Sequence, residues 1–200
     1  MSTVTVKTIE RPPFNEREAL RYAGCAEAAE DMQKLLAKSF EEADKKLEYK
    51  VCFLELPVNT DGDVCFLGSF EIHSKNLAKV LSGCSSVLLF AATVGVGIDR
   101  LIAKYGRISP SKAVMLQAIG AERIEALCDT FCKKYEEENG LKLKPRFSPG
   151  YGDLPLETQK DIFDILECHL KIGLSLNDSL LMSPSKSVTA FAGIIDNQEK

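Results

Sequence analysis

The sequence predicts an α+β fold: a mainly antiparallel, twisted sheet with long amphipathic helices, in a single domain spanning residues 1–200. Three observations carry this expectation. Segments with apolar residues at helical spacing are interspersed with short β-branched and aromatic runs. The runs between residues 49 and 74 are separated by turn residues at hairpin distance. No regular strand–helix–strand rhythm of the kind that builds a parallel sheet runs through the chain.

The first long helical segment, NEREALRYAGCAEAAEDMQKLLAKSFEEADKKL, is rich in Ala, Leu, Glu and Lys and follows a Pro-Pro pair. Its apolar residues Ala28, Met32, Leu35, Leu36 and Phe40 recur at helical spacing, which predicts one amphipathic helix bent near Gly24. Then YKVCFLELPV, DVCFLG and SFEIHS read as a three-stranded antiparallel meander, with NTDGD and Gly68 as its turns.

A short helix at SKNLAKVLSG leads to SSVLLFAATVG, an apolar run expected to be a buried strand, and GIDRLIAKYGR follows as a second short helix. The longest helix opens with Ser109 as N-cap and Pro110 at the first helical position, and it closes on Gly140. Small residues in its first half (Ala113, Ala118, Gly120, Ala121) admit a close neighbour. LETQKDIFDILECHLKIG places Ile162, Phe163, Leu166 and Leu170 on one face of a last helix that stops at Gly173, and SVTAFAGII reads as the final strand.

Between the last two helices lies RFSPGYGDLP, residues 146–155. Pro149 presets the first central position of a β-turn, and Gly150 suits the positive φ that a type II turn requires at the second. Ser148 precedes a proline and is pushed to extended backbone, which keeps its N–H and C=O out of a helix. The result is a shallow place where the Arg146 fork, backbone polar groups and the Tyr151 ring face one small molecule. A guanidinium recognises a carboxylate, backbone groups can bond a purine edge, and an aromatic face tolerates a sulfonium. S-adenosylmethionine carries all three features. The plainer reading is a Pro-Gly-Tyr turn with a salt-bridged arginine.

The wider stretch, RFSPGYGDLPLETQKDIFDIL followed by KIGLSLNDSLLMSPSKSVTAFAGI, resembles the activation module of cobalamin-dependent methionine synthase. Its R-x-x-x-G-Y motif is matched by Arg146, Gly150 and Tyr151, and AATVGVGIDRLI and QAIGAERIEALCD extend the likeness over roughly residues 85–194. The resemblance implies S-adenosylmethionine bound in a shallow groove by Arg146, Ser148, Gly150 and Tyr151, with Arg146 and Tyr151 as side-chain contacts and the backbone near Ser148 reading the adenosyl part. It implies no catalytic acid or base. The family's task is to couple one-electron reduction of cob(II)alamin to methylation, so the expected partners are a cobalamin-binding methionine synthase chain and an electron donor such as a flavodoxin-like protein. In the family an acidic residue near the N-terminus also meets the ligand; Asp31 is a candidate by region only. Larger relatives continue past the last strand, which implies an adenosyl pocket that is incomplete or built differently here.

The chain lacks a D-x-H-x-x-G cobalamin signature, since Glu167 and His169 in ECHLKIG have the wrong neighbours; the corrinoid is therefore expected on a separate chain. His169 and His73 read as ordinary surface residues. A formal net charge of -4 with 45% hydrophobic residues gives no reason to expect a nucleic-acid partner. No apolar run reaches membrane-span length and MSTVTVKTIERPPF has no signal-peptide pattern, so the expected address is the cytoplasm and no membrane partner is expected. Seven scattered cysteines read as reduced thiols, and Cys128 with Cys132 lacks further metal ligands.

Two rivals remain open at this level. G-x-G at Gly95 and Gly97 follows a strand and opens a helix, as in a small-molecule S-adenosylmethionine-dependent methyltransferase, but Arg100 stands where a third glycine belongs. The chain could equally reactivate, or simply bind, another corrinoid methyltransferase.

Overall fold

A computed structural model describes residues 3–25 and 29–195. Its main sheet is antiparallel throughout and follows the order β4 (Phe70–His73), β3 (Val64–Leu67), β2 (Lys50–Asp61), β5 (Ser86–Thr93), β9 (Ser187–Ile195), β6 (Lys142–Leu143). A further strand, β1 (Thr5–Thr8), pairs with the first residues of β2, Thr5 opposite Phe53. The predicted meander is present, with β2 paired to β3 and β3 to β4. The sequence reading missed β1, β6 and a small ribbon of β7 (Ser175–Leu176) with β8 (Met182–Ser183), segments too short to show a period.

Both faces of the sheet are covered. Leu88, Phe90 and Ala92 of β5 join one core, and Val87, Leu89 and Ala91 join the other. This is why β5 reads as a continuous apolar run, and why β9 is buried along nearly its whole length instead of alternating. The first face is packed by α1 (Glu16–Tyr22), α2 (Glu30–Asp44), α4 (Gly97–Ile108) and α5 (Pro110–Asn139), the second by α3 (Lys75–Leu81), α6 (Thr158–Ile165) and α7 (Cys168–Ile172).

Two helix expectations need correction. The first long helix is two: α1 gives way to Gly24 at φ 73, and α2 starts afresh at Glu30. Met32, Leu35, Leu36 and Phe40 lie on α2 as expected, while Ala28 falls outside the described residues. The last helix also breaks, at Glu167, whose left-handed φ of 49 separates α6 from α7. Ile162 and Leu166 are buried, but the break turns Leu170 outward to 77% exposure. Helix α5 runs unbroken to Gly140 in the left-handed conformation, as predicted; Ser109 holds the N-cap position without a side-chain capping bond.

The G-x-G turn has a packing role. Gly95 has φ 80, and a Cβ on Gly97 would lie 2.1 Å from the Lys46 carbonyl oxygen, so α4 begins pressed against the backbone that leaves α2.

Candidate functional site

The loop after β6 is held against the sheet by an antiparallel bridge between Phe147 and Phe191. From there it turns as its residues dictate. The Tyr151 N–H donates to the Ser148 carbonyl at 3.2 Å, Gly150 has φ 87, and Pro149 is buried beneath the bend. Two further bonds, Gly150 N–H to the Leu154 carbonyl and Leu154 N–H to the Tyr151 carbonyl, make the loop a self-contained unit.

This loop forms one wall of a cleft of about 380 Å³, lined among others by Arg146, Ser148 and Tyr151. Three of the four residues singled out from sequence thus share one cavity; Gly150 shapes the turn without lining it. Tyr151 stands at 67% exposure, its ring free to meet a ligand or a second protein. Asp31 sits exposed in the first turn of α2 and does not line the cleft.

Arg146 is already engaged. Its Nη2 donates to Glu125 Oε2 at 2.8 Å and its Nη1 to Asp129 Oδ1 at 2.7 Å, both carboxylates standing on α5. Two of the five guanidinium N–H donors are used this way, and the pair fixes the fork in place. Glu125 itself lines the cleft, so that end presents a cation and an anion side by side, the complement of an amino-acid zwitterion. Glu125 was missed in the sequence because nothing local connects it to residue 146, which follows it by 21 positions.

A family model for the vitamin B12 dependent methionine synthase activation domain matches residues 75–198. The chain belongs to this family. Its fold is similar to that in a crystal structure of the MetH reactivation domain bound to AdoHcy, with a TM-score of 0.69 and 16% identity over 99% of this chain and 80% of that chain. No curated protein matches the chain.

Within this activation domain the cleft floor comes from elements distant in sequence. Gln159 of α6, Met182 of β8 and Ser187 and Thr189 of β9 complete it. Ser187 is satisfied, its hydroxyl lying 2.8 Å from Thr93 Oγ1 and from the Pro184 carbonyl. Gln159 Oε1 and Thr189 Oγ1 are buried without a partner. Neither residue carries a sequence signal of its own.

Among the described residues, no three His, Cys, Asp or Glu side chains come together as a metal-ligand set. Cys128 is fully buried in the core, and burial pushes its thiol up; Cys132 beside it is pushed up to about 11, again chiefly by burial. His169 is exposed on α7, and His73 pairs with Glu71 at 2.8 Å. No helix among the described residues is long and apolar enough to cross a membrane.

Proposed function

We propose that this activation domain binds S-adenosylmethionine in the Arg146–Tyr151 cleft and presents it to a corrinoid carried by a partner methionine synthase module. The observation that carries the reading is that Arg146, Ser148 and Tyr151 line one cavity in a chain of this family. AdoHcy, bound in the similar MetH reactivation domain, is what S-adenosylmethionine becomes on losing its methyl group.

The residues fit such a ligand. The remaining donors of Arg146 suit the carboxylate of its methionine end, and Glu125 suits the ammonium. The Tyr151 ring offers its face to the sulfonium. Bound S-adenosylmethionine supplies the methyl group that, with one electron from a flavodoxin-like donor, returns an oxidised corrinoid to its methylated form. The chain's contribution is position: the turn, pinned to the sheet at Phe147, holds the wall of the cleft in one place for the incoming partner. No protein acid or base is needed. The corrinoid and its reductant belong to other modules, acting in the cytoplasm.

Calorimetry with S-adenosylmethionine and AdoHcy tests the binding step. We expect micromolar-range affinity, weakened at least about tenfold in Arg146→Ala, because a charge-assisted hydrogen bond contributes about 1.5–3 kcal/mol. Absence of heat at millimolar ligand would overturn the reading. For the role itself, the chain is added with reductant and S-adenosylmethionine to a methionine synthase halted in the cob(II)alamin state and lacking an activation domain. Recovery of turnover is expected; recovery of a different corrinoid methyltransferase alone would reassign the partner.

A further inference from the structure

Met182 reaches the cleft from the β7–β8 ribbon, a two-stranded sheet separate from the main one. With two paired residues in each strand, such a ribbon does not hold its own position. Its link to the main sheet is residues 184–186, which join the end of β8 to Ser187, where β9 begins and the cleft wall resumes. Whatever holds this link sets where Met182 stands.

The link is gripped at its middle residue. Asp99, in the first turn of α4, accepts the Ser185 N–H through Oδ2 at 2.9 Å and the Ser185 hydroxyl through Oδ1, so both carboxylate oxygens serve one residue 86 positions away. Bonds to a charged acceptor are the strong ones. To either side, the Pro184 carbonyl accepts from the Ser187 hydroxyl at 2.8 Å and the Lys186 carbonyl from the Val94 N–H at 3.1 Å. The Lys186 stem lies across Gly120 of α5, where a Cβ would fall 2.9 Å from it, so Lys186 is a neighbour that the small residues of α5 admit. Asp99 is itself well fixed, because Gly97 seats the start of α4 on the Lys46 carbonyl.

We infer that Asp99 is a positioning residue for the cleft: through Ser185 it holds the junction of ribbon and main sheet, and with it Met182 and Ser187, at the distance from the Arg146–Tyr151 wall that the ligand needs. The inference rests on the S-adenosylmethionine reading above. Asp99 does not line the cleft, and its effect passes through the chain it grips. The G-x-G turn gains a function in this way, since it sets the helix that carries the acid.

Calorimetry on the full chain with AdoHcy tests the inference. Asp99→Ala should weaken binding about fivefold, whereas Asp99→Asn, which can still accept the Ser185 N–H and donate to its hydroxyl, should stay within about twofold of the wild type. Ser185→Ala keeps the N–H bond and should lose about twofold; added to Asp99→Ala it should cost nothing further, because the two side chains act as one unit. An acid with a purely structural role would lower the thermal midpoint of Asp99→Ala and leave its affinity well below that midpoint unchanged, and this result would overturn the inference. So would additive losses in the double variant, or a loss in Asp99→Asn equal to that in Asp99→Ala, which would make the charge itself the cause. All three leave the cleft's function intact. A wild type that binds no AdoHcy would remove both readings together.

Discussion

Asp153 caps a helix whose N-cap lies 79 residues earlier: its Oδ1 accepts a hydrogen bond from Ser74 Oγ, the N-cap side chain of α3. The same carboxylate takes the Lys75 N–H at 2.8 Å and the Asn76 N–H at 3.2 Å, while Ser74 Oγ accepts from the Leu77 N–H. The bond from Ser74, then those from the backbone, hold the Asp153 carboxyl below the usual range. Gly152 allows this approach, since a Cβ there would fall 2.3 Å from the Asn76 side chain. The cleft-lining turn is in this way tied to the second layer of helices. Asp153→Ala should lower the thermal midpoint and weaken AdoHcy binding together, with Asp153→Asn intermediate, as measured by scanning calorimetry and titration.

A second anchor lies on the opposite face. Arg123 is fully buried on α5, pairs with Glu122 at 2.5 Å, and donates to the carbonyls of Pro12 and Pro13 at 2.7 and 2.6 Å. Its guanidinium also lies 5.0 Å from the Phe14 ring centre. Arg123→Met strands the Glu122 charge and should cost about 3–5 kcal/mol in urea unfolding; replacing Glu122 with Gln as well should recover a good part of that.

The acid limb of stability should depend on Glu42. The Lys112 ammonium at 2.6 Å, then the Tyr105 hydroxyl at 2.8 Å, draw its carboxyl from the ordinary 4.5 to about 2, and so tie α2 to α4 and α5. The folded value lies below the unfolded one, so this contribution is complete above pH 4.5 and lost as pH falls through about 2. Glu42→Gln should flatten the fall of the thermal midpoint across that window and leave its slope at neutral pH unchanged.

Thiol reactivity should separate the seven cysteines by burial. Cys52, Cys65, Cys128 and Cys168 are buried, and Cys132, though partly exposed, is pushed up to about 11. A disulfide exchange reagent at neutral pH should therefore modify Cys25 and Cys84 first, and the other thiols only on unfolding. Peptide mapping of the labelled chain reads this directly.

What the sequence determined by itself was whatever short-range chemistry decides. Pro149 and Gly150 specify a turn wherever they stand, Gly140 ends a helix, and the alternating runs of the meander pair with their neighbours. Hence Arg146, Ser148 and Tyr151 could be named as a group. The tertiary structure decided what meets that turn. The α5 carboxylates of Glu125 and Asp129 orient Arg146, Asp153 finds its partner in Ser74, and α6 and β9 bring Gln159 and Thr189 to the floor. It also broke two continuous helical patterns, at Gly24 and Glu167, where backbone with positive φ redirects the chain. The physical reason is one of range: turn and cap preferences are set by neighbours in sequence, whereas charge pairing and burial depend on which distant elements packing brings together.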